Sequence, residues 1–208
     1  MTDEKGYIQF ACEWTPAPPP TYAFAEELLA CRNRLFARGL IGVYPNGIGF
    51  GNVSTRLGTL PFLITGTATG SIATLQRQHL THVLRYDIAG NRLWCAGPLQ
   101  ASSESLSHAA VYETAGANVV IHVHHLGLWE SLCGRIATTA AHAEAGTPAM
   151  ADAIAELFAS PTPPRGIFAM GGHREGIMSF GHDFPSAEKV LLDALTEYES
   201  RTFSPKIR

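Results

Sequence analysis

Two histidines one residue apart, His122 and His124, lie in the run Asn118-Val-Val-Ile-His-Val-His124. The run reads as a buried strand, and side chains alternate across a strand. His122 and His124 therefore project from one face, while Val119, Ile121 and Val123 line the other. Two imidazoles at that spacing can converge on one divalent cation. A lone strand histidine is ordinarily a packed core residue. A pair on one buried face needs partners for its ring nitrogens once water is removed. Upstream, Ser102-Ser103-Glu104 offers a carboxylate at a predicted helix start; downstream, Gly171-Gly172-His173 offers another imidazole in a glycine-rich turn. His122, His124 and His173 with Glu104 would suffice for a catalytic metal site with an exchangeable position, provided the fold gathers them.

Three segments could receive an anionic group. Asn46-Gly-Ile-Gly-Phe-Gly51 exposes backbone N–H groups, but its spacing is not that of a dinucleotide loop, and it leads into a strand-like segment rather than a helix. Thr65-Gly66-Thr67-Ala68-Thr69-Gly70 offers hydroxyls and backbone, or is simply a turn. Ser102-Ser103 caps a helix start, where the same N–H groups can bind an anion. Glu104 and His108 are four residues apart on one helix face and could equally pair on a surface. His125 points away from His124 if the strand continues. His79, His82 and His182 have no partners in the pattern.

The elements that must position these residues follow from periodicity. Residues 1–20, ending in Pro16-Ala-Pro-Pro-Pro20, predict an extended N-terminal arm. A helix is expected from a cap at Thr21 to about Arg38, with Phe24, Leu28, Cys31 and Leu35 as its stripe and Gly39 ending it. Strands follow near 51–57 and 61–65, and a hairpin turns around Ala89-Gly90-Asn91. Ser103 to about Ala115 reads as a helix, then the histidine strand, then a short helix on Leu126, Trp129 and Leu132. Thr147-Pro148 starts another helix. Strands near 166–170 and 176–180 flank the His173 turn, and a last helix begins near Pro185-Ser186. No repeat or linker divides residues 21–208, which predicts a single α/β or α+β domain there.

The 208 residues suit such a domain, and a net charge of −3 without basic clusters gives no reason to expect nucleic acid or an anionic membrane as partner. Cys12, Cys31, Cys95 and Cys133 form no zinc-ribbon or CxxC spacing and read as thiols in a reducing compartment. The opening Met-Thr-Asp-Glu-Lys lacks the regions of a signal peptide, and no apolar stretch approaches membrane-spanning length, so a cytoplasmic protein is expected.

Taken in order, Gly51-Asn52-Val53-Ser54, Leu63-Ile64-Thr65-Gly66, Ser102-Ser103-Glu104 with His108, Val120-Ile121-His122-Val123-His124 and Gly172-His173 resemble the class II aldolase/adducin-domain family over about residues 22–198. The resemblance implies a three-layer α/β/α sandwich with a mainly antiparallel central sheet. It implies a divalent metal, usually zinc, on His122, His124 and His173. Glu104 would be the catalytic acid/base and would also touch the metal when substrate is absent. A substrate phosphate would sit among Gly51, Asn52, Thr65, Gly66, Ser102 and Ser103. The family commonly forms homotetramers with active sites at subunit interfaces, and its adducin branch is a non-catalytic interaction domain.

The chain departs from the family pattern in three places. Gly49 and Phe50 stand where members often carry a Thr or Ser phosphate ligand. Arg174-Glu175 separates His173 from Gly176, where either side chain could reshape the pocket. No tyrosine acid is evident on a C-terminal tail beyond Tyr198. These departures leave a carboxylate or an unphosphorylated polyol open as substrate. The expected reaction is aldolase-type C–C cleavage of a small hydroxy-carbonyl compound through a metal-stabilised enediolate, with Glu104 shuttling the carbon proton. Epimerisation, dehydration and decarboxylation would use the same site.

Overall fold

Runs of apolar residues with strand and helix periods, separated by glycine- and proline-rich turns, alternate along the whole chain. The computed structural model describes residues 9–58 and 60–203, so residues 1–8 of the expected arm lie outside the described residues. The elements are β1 (Ala11–Pro16), α1 (Ala25–Ala37), β2 (Gly42–Val43), β3 (Gly49–Phe50), β4 (Asn52–Leu57), β5 (Leu60–Thr65), β6 (Leu80–Asp87) and β7 (Arg92–Gly97). They continue with α2 (Ser105–Ala115), β8 (Val119–His124), α3 (Leu126–Leu132), α4 (Pro148–Ala159), β9 (Ile167–Ala169), β10 (Gly176–Gly181) and α5 (Phe184–Phe203).

Eight strands form one sheet in the order β1-β7-β6-β5-β4-β8-β10-β9; β2 and β3 pair separately. The sheet is mixed, which corrects the expectation of a mainly antiparallel one. At one edge β1 runs parallel to β7, with Trp14 opposite Cys95, beside the antiparallel pairings of the remaining strands. The physical reason is connectivity. Hairpins force antiparallel neighbours, whereas β1 reaches its partner from far away in sequence and is free of that constraint. Part of the expected extended arm is thus a sheet strand.

Period-two alternation sorts the core. Val120 joins a cluster with Leu106, Ala109, Ala110 and Tyr112 of α2 and Met150 and Ile154 of α4. Val119, Ile121 and Val123 join another with Leu28 and Leu35 of α1, Leu128 of α3 and Leu191 and Leu195 of α5. The faces of β8 are therefore unlike: one is wholly aliphatic, and the other carries Val120, His122 and His124.

Helix boundaries shift where local chemistry differs from the expected caps. The start of α1 is at Ala25, with Phe24 rather than Thr21 at the cap position and no side-chain cap bond. Ser102 and Ser103 precede the α2 cap, which is Glu104 itself. Thr147 does cap α4, accepting from Met150 N–H at 3.4 Å. Among the described residues no helix is long and apolar enough to cross a membrane.

Candidate metal centre

Sheet register assembles the first part of the site. His122 of β8 lies opposite Asn52 of β4 and opposite Met178 of β10, and His124 lies opposite Gly176. Gly176 leaves room for the His173 ring, which a Cβ there would overlap in its present position. His173 sits on the turn between β9 and β10, held by His173 N–H to Met170 C=O at 3.1 Å and Gly176 N–H to His173 C=O at 2.9 Å. The preceding Gly172 lets that turn pack against residues 139–143, since a Cβ there would overlap the Ala143 carbonyl.

The three imidazoles converge. Ring centroids are 4.9 Å apart for His122–His124, 5.2 Å for His122–His173 and 4.6 Å for His124–His173. One ligand nitrogen from each lies within 4.8 Å of the others. His124 Nε2 and His173 Nε2 approach to 2.9 Å, a distance that needs a proton or a cation between two lone pairs. His122 is 1% exposed, and neither of its ring nitrogens has a hydrogen-bond partner. Two orphaned nitrogens on a buried ring would cost several kcal/mol by roughly the usual penalty for unpaired polar groups. A divalent ion bound at about 2.0–2.1 Å removes that penalty for the nitrogen that binds it. The donor set and its convergence fit such an ion. Burial, and then the neighbouring His124, His173 and His108, hold His122 well below the usual imidazole range, so it stays neutral and able to ligate.

These rings lie in a cleft of about 200 Å³ whose lining includes Asn52, Ser102, Ser103 and Glu104. Glu104 is 6% exposed, and its carboxylate accepts from Ser107 Oγ at 2.9 Å. Burial pushes its carboxyl up to about 7 against the opposing pull of that hydroxyl. The expected surface pair of Glu104 and His108 does not occur. His108 is fully buried, and its Nδ1 lies 2.6 Å from Ser54 Oγ, whose other neighbour is Tyr112 OH at 2.6 Å. Burial pushes the His108 ring down to about 3.

The candidate anion-binding segments meet across the same cleft. An isolated bridge joins Gly66 to Ala101, and Thr67 N–H reaches Gln100 C=O at 2.9 Å. Gly51, Asn52, Gly66, Ser102 and Ser103 line the cleft, as do Thr67, Ala68, Thr69 and Gly70. Asn52 Nδ2–H donates to Ser102 Oγ at 2.9 Å, while Asn52 Oδ1 is buried without a partner. Thr65 is the exception. Its hydroxyl turns into the sheet, 3.4 Å from Val53 N–H, so its side chain is not a cleft group.

Two contributors were not legible from motifs. Arg32 of α1 is 1% exposed and donates to the carbonyls of Thr69 at 2.9 Å, Ala73 at 3.3 Å and Ile72. Burial lowers it to about 10, so it remains a cation behind the 66–70 loop near neutral pH. Its place in the amphipathic pattern of α1 gave no cue, because it interrupts an apolar stripe. Tyr44 comes from the β2–β3 turn and stands 2.7 Å from His124 Nδ1.

The profile of the Class II Aldolase and Adducin N-terminal domain matches residues 26–194. The chain belongs to the class II aldolase/adducin family. No curated protein matches it. Among solved structures of similar fold, YgbL of Klebsiella pneumoniae, provisionally an aldolase/epimerase/decarboxylase, is 21% identical, with a TM-score of 0.63 over 89% of this chain and 90% of that one. An L-fuculose 1-phosphate aldolase is 18% identical, with a TM-score of 0.63 over 91% of each chain. The L-fuculose-1-phosphate aldolase of Thermus thermophilus is 20% identical, with a TM-score of 0.55 over 88% of this chain and 97% of that one. At these identities the likeness is one of α/β fold. Within the class II aldolase/adducin fold, the histidine triad of this chain could bind a metal ion.

Proposed function

We propose that this chain is a metal-dependent lyase of aldolase type, acting on a small hydroxy-carbonyl compound at the His122–His124–His173 cleft. The observation that carries the reading is His122: buried, neutral and unpartnered on both ring nitrogens, in a triad that opens onto the same cleft as a buried carboxyl. A group so costly to bury is retained where a ligand compensates it.

When bound to the triad, a divalent cation, zinc by the donor set, supplies Lewis-acid stabilisation for negative charge developing on the substrate oxygens as a C–C bond breaks. The rest falls to the protein. Glu104 moves the proton at the substrate carbon: it delivers it after cleavage and removes it in the condensing direction. Its carboxyl, held near 7 by burial, is suited to both directions near neutral pH. Asn52 lines the cleft and its Oδ1 lacks a partner within the protein, which supports a role in accepting from a substrate hydroxyl. Gly51, Gly66, Ser102 and Ser103 with the 67–70 loop hold the distal anionic end, and the buried Arg32 charge behind that loop favours an anion there. A cleft of about 200 Å³ suits a short substrate.

Epimerisation and decarboxylation next to a carbonyl would use the same proton transfer. We read residues 21–208 as one class II aldolase/adducin-like domain, a three-layer α/β/α arrangement, working as a cytoplasmic homotetramer on a small molecule, without nucleic acid or membrane partners. The test is metal analysis of the purified protein, followed by solvent deuterium incorporation into dihydroxyacetone and its phosphate. Stoichiometric zinc with exchange at the carbon beside the carbonyl is the expected result. A zinc-loaded protein that exchanges neither compound nor cleaves any short hydroxy-carbonyl would refute the lyase reading.

A further inference from the structure

Tyr44 has a single O–H proton, and two acceptors compete for it. Its hydroxyl donates to Glu175 Oε2 at 2.7 Å and lies 2.7 Å from His124 Nδ1. A carboxylate oxygen only accepts, so the phenol proton belongs to that bond and the phenol oxygen is left to accept from the ring. We propose that Glu175 and Tyr44 form a relay that sets the tautomer of His124, placing its proton on Nδ1 and leaving Nε2 a bare lone pair facing the triad. The opposite tautomer would take the Tyr44 proton from Glu175; in the proposed one His173 supplies the proton between the two Nε2 atoms, which stand 2.9 Å apart.

Each part of the relay is held in place. Tyr44 begins a tight turn, closed by Tyr44 N–H to Ile48 C=O at 2.8 Å and Gly47 N–H to Tyr44 C=O at 2.9 Å. Phe50 packs against it with ring centroids 4.6 Å apart and against His124 at 5.4 Å. Glu175 sits at φ +74°, a left-handed conformation that a residue with a Cβ seldom adopts. Such an outlier persists where the surroundings over-determine it, and the carboxylate contact to Tyr44 is one such constraint. Of the two residues between His173 and Gly176, Glu175 therefore acts on a ligand through Tyr44. A carboxylate behind a ligating imidazole both orients it and raises its basicity. Tyr44 and Glu175 are positioning residues; neither is assigned a contact with substrate.

The relay rests on the reading of the triad as a metal site, and its test separates the two. In metal-free protein, long-range proton–nitrogen correlations of the imidazoles report the tautomer of each histidine. Wild type is expected to show His124 protonated on Nδ1. Tyr44→Phe and Glu175→Ala are expected to show a mixture or the Nε2 form, and to raise the zinc Kd by about 10–100-fold in competition with a chromogenic chelator. Glu175→Gln, whose carbonyl still accepts from Tyr44, is expected to recover most of the loss. A purely structural role would lower thermal stability without moving the tautomer. His124 protonated on Nε2 in wild type, or an unchanged tautomer and a zinc Kd within twofold in Glu175→Ala, overturns the relay. If wild type binds no zinc yet its His124 tautomer still responds to these variants, the relay stands and the metal reading falls.

Discussion

Asn52 and His122 stand opposite each other across β4 and β8, so a carboxamide and an imidazole share one face of the sheet at the floor of the cleft. Both are buried, and both keep polar atoms without protein partners: Asn52 Oδ1 and the two His122 ring nitrogens. A cation on His122 and a substrate hydroxyl donating to Asn52 Oδ1 would be the complementary groups. The consequences can be checked separately.

His122→Ala removes the most buried member of the triad and leaves two ligands. Metal content of the purified variant should fall from about one ion per chain to near zero. The thermal midpoint of the wild type should drop by several degrees on adding a chelator, because an ion that binds only the folded state stabilises it, whereas the variant should not respond. Equal chelator sensitivity in both would exclude His122 as a ligand.

Gly176→Ala places a methyl against the ring edge of His173. The strand can keep its pairing with β8, but the ring must turn away. Zinc affinity should weaken at least about tenfold, as for other changes that disturb ligand orientation, while circular dichroism stays native. Affinity within twofold of wild type would mean that the His173 ring is free to adjust.

Glu104→Gln keeps the shape of the carboxyl and removes the proton carrier. Solvent deuterium exchange into a hydroxy-carbonyl substrate should fall by at least about a hundredfold with zinc retained. Near-wild-type exchange would move proton transfer to another group.

The same residue gives a pH signature in metal-free protein. The Glu104 carboxyl titrates near 4.5 when unfolded and near 7 when buried, so between those values the folded state holds a proton that the unfolded state has lost. Its contribution to stability is therefore full below about 4.5 and is lost as pH rises to about 7. The loss should amount to roughly 3 kcal/mol by the linkage relation. The buried histidines slope the other way and are common to both proteins, so the difference in unfolding free energy between wild type and Glu104→Gln isolates the effect. A pH-independent difference would show that the carboxyl is ionised in both states.

Arg32→Met keeps much of the side-chain volume of a fully buried position but strips the carbonyls of Thr69, Ile72 and Ala73 of their donor. Denaturant unfolding should show a loss of about 2–3 kcal/mol, the range for hydrogen bonds to a charged group plus unpaired acceptors. Binding of phosphate-bearing substrates should weaken more than that of neutral ones. Equal weakening of both would remove the electrostatic part of the argument.

Much of this site was readable in one dimension. Strand periodicity alone puts His122 and His124 on one face, because alternation is a local property of extended backbone. Thr147-Pro148, the turn at Ala89-Gly90-Asn91 and the glycine turn before His173 are equally local, each set by the φ/ψ needs of a few residues. The ordered motifs also carried the family, since spacing along the chain is all that a family pattern requires. His173 and Asn52 could be named from motifs and from the family resemblance, but how they reach the pair depends on strand order. His173 joins the pair only because β10 lies next to β8, and Asn52 only because β4 lies on its other side. The burial that turns Glu104 and His108 inward depends on α2 packing over that face. The inward turn of Thr65, the parallel edge strand β1, the cation of Arg32 behind the loop and the reach of Tyr44 to His124 have no signature in composition or spacing. Apart from Thr65, which turns toward the neighbouring strand of its own hairpin, each is a contact between segments far apart in sequence, and pairing across such distances is decided by how the whole core closes rather than by any local preference.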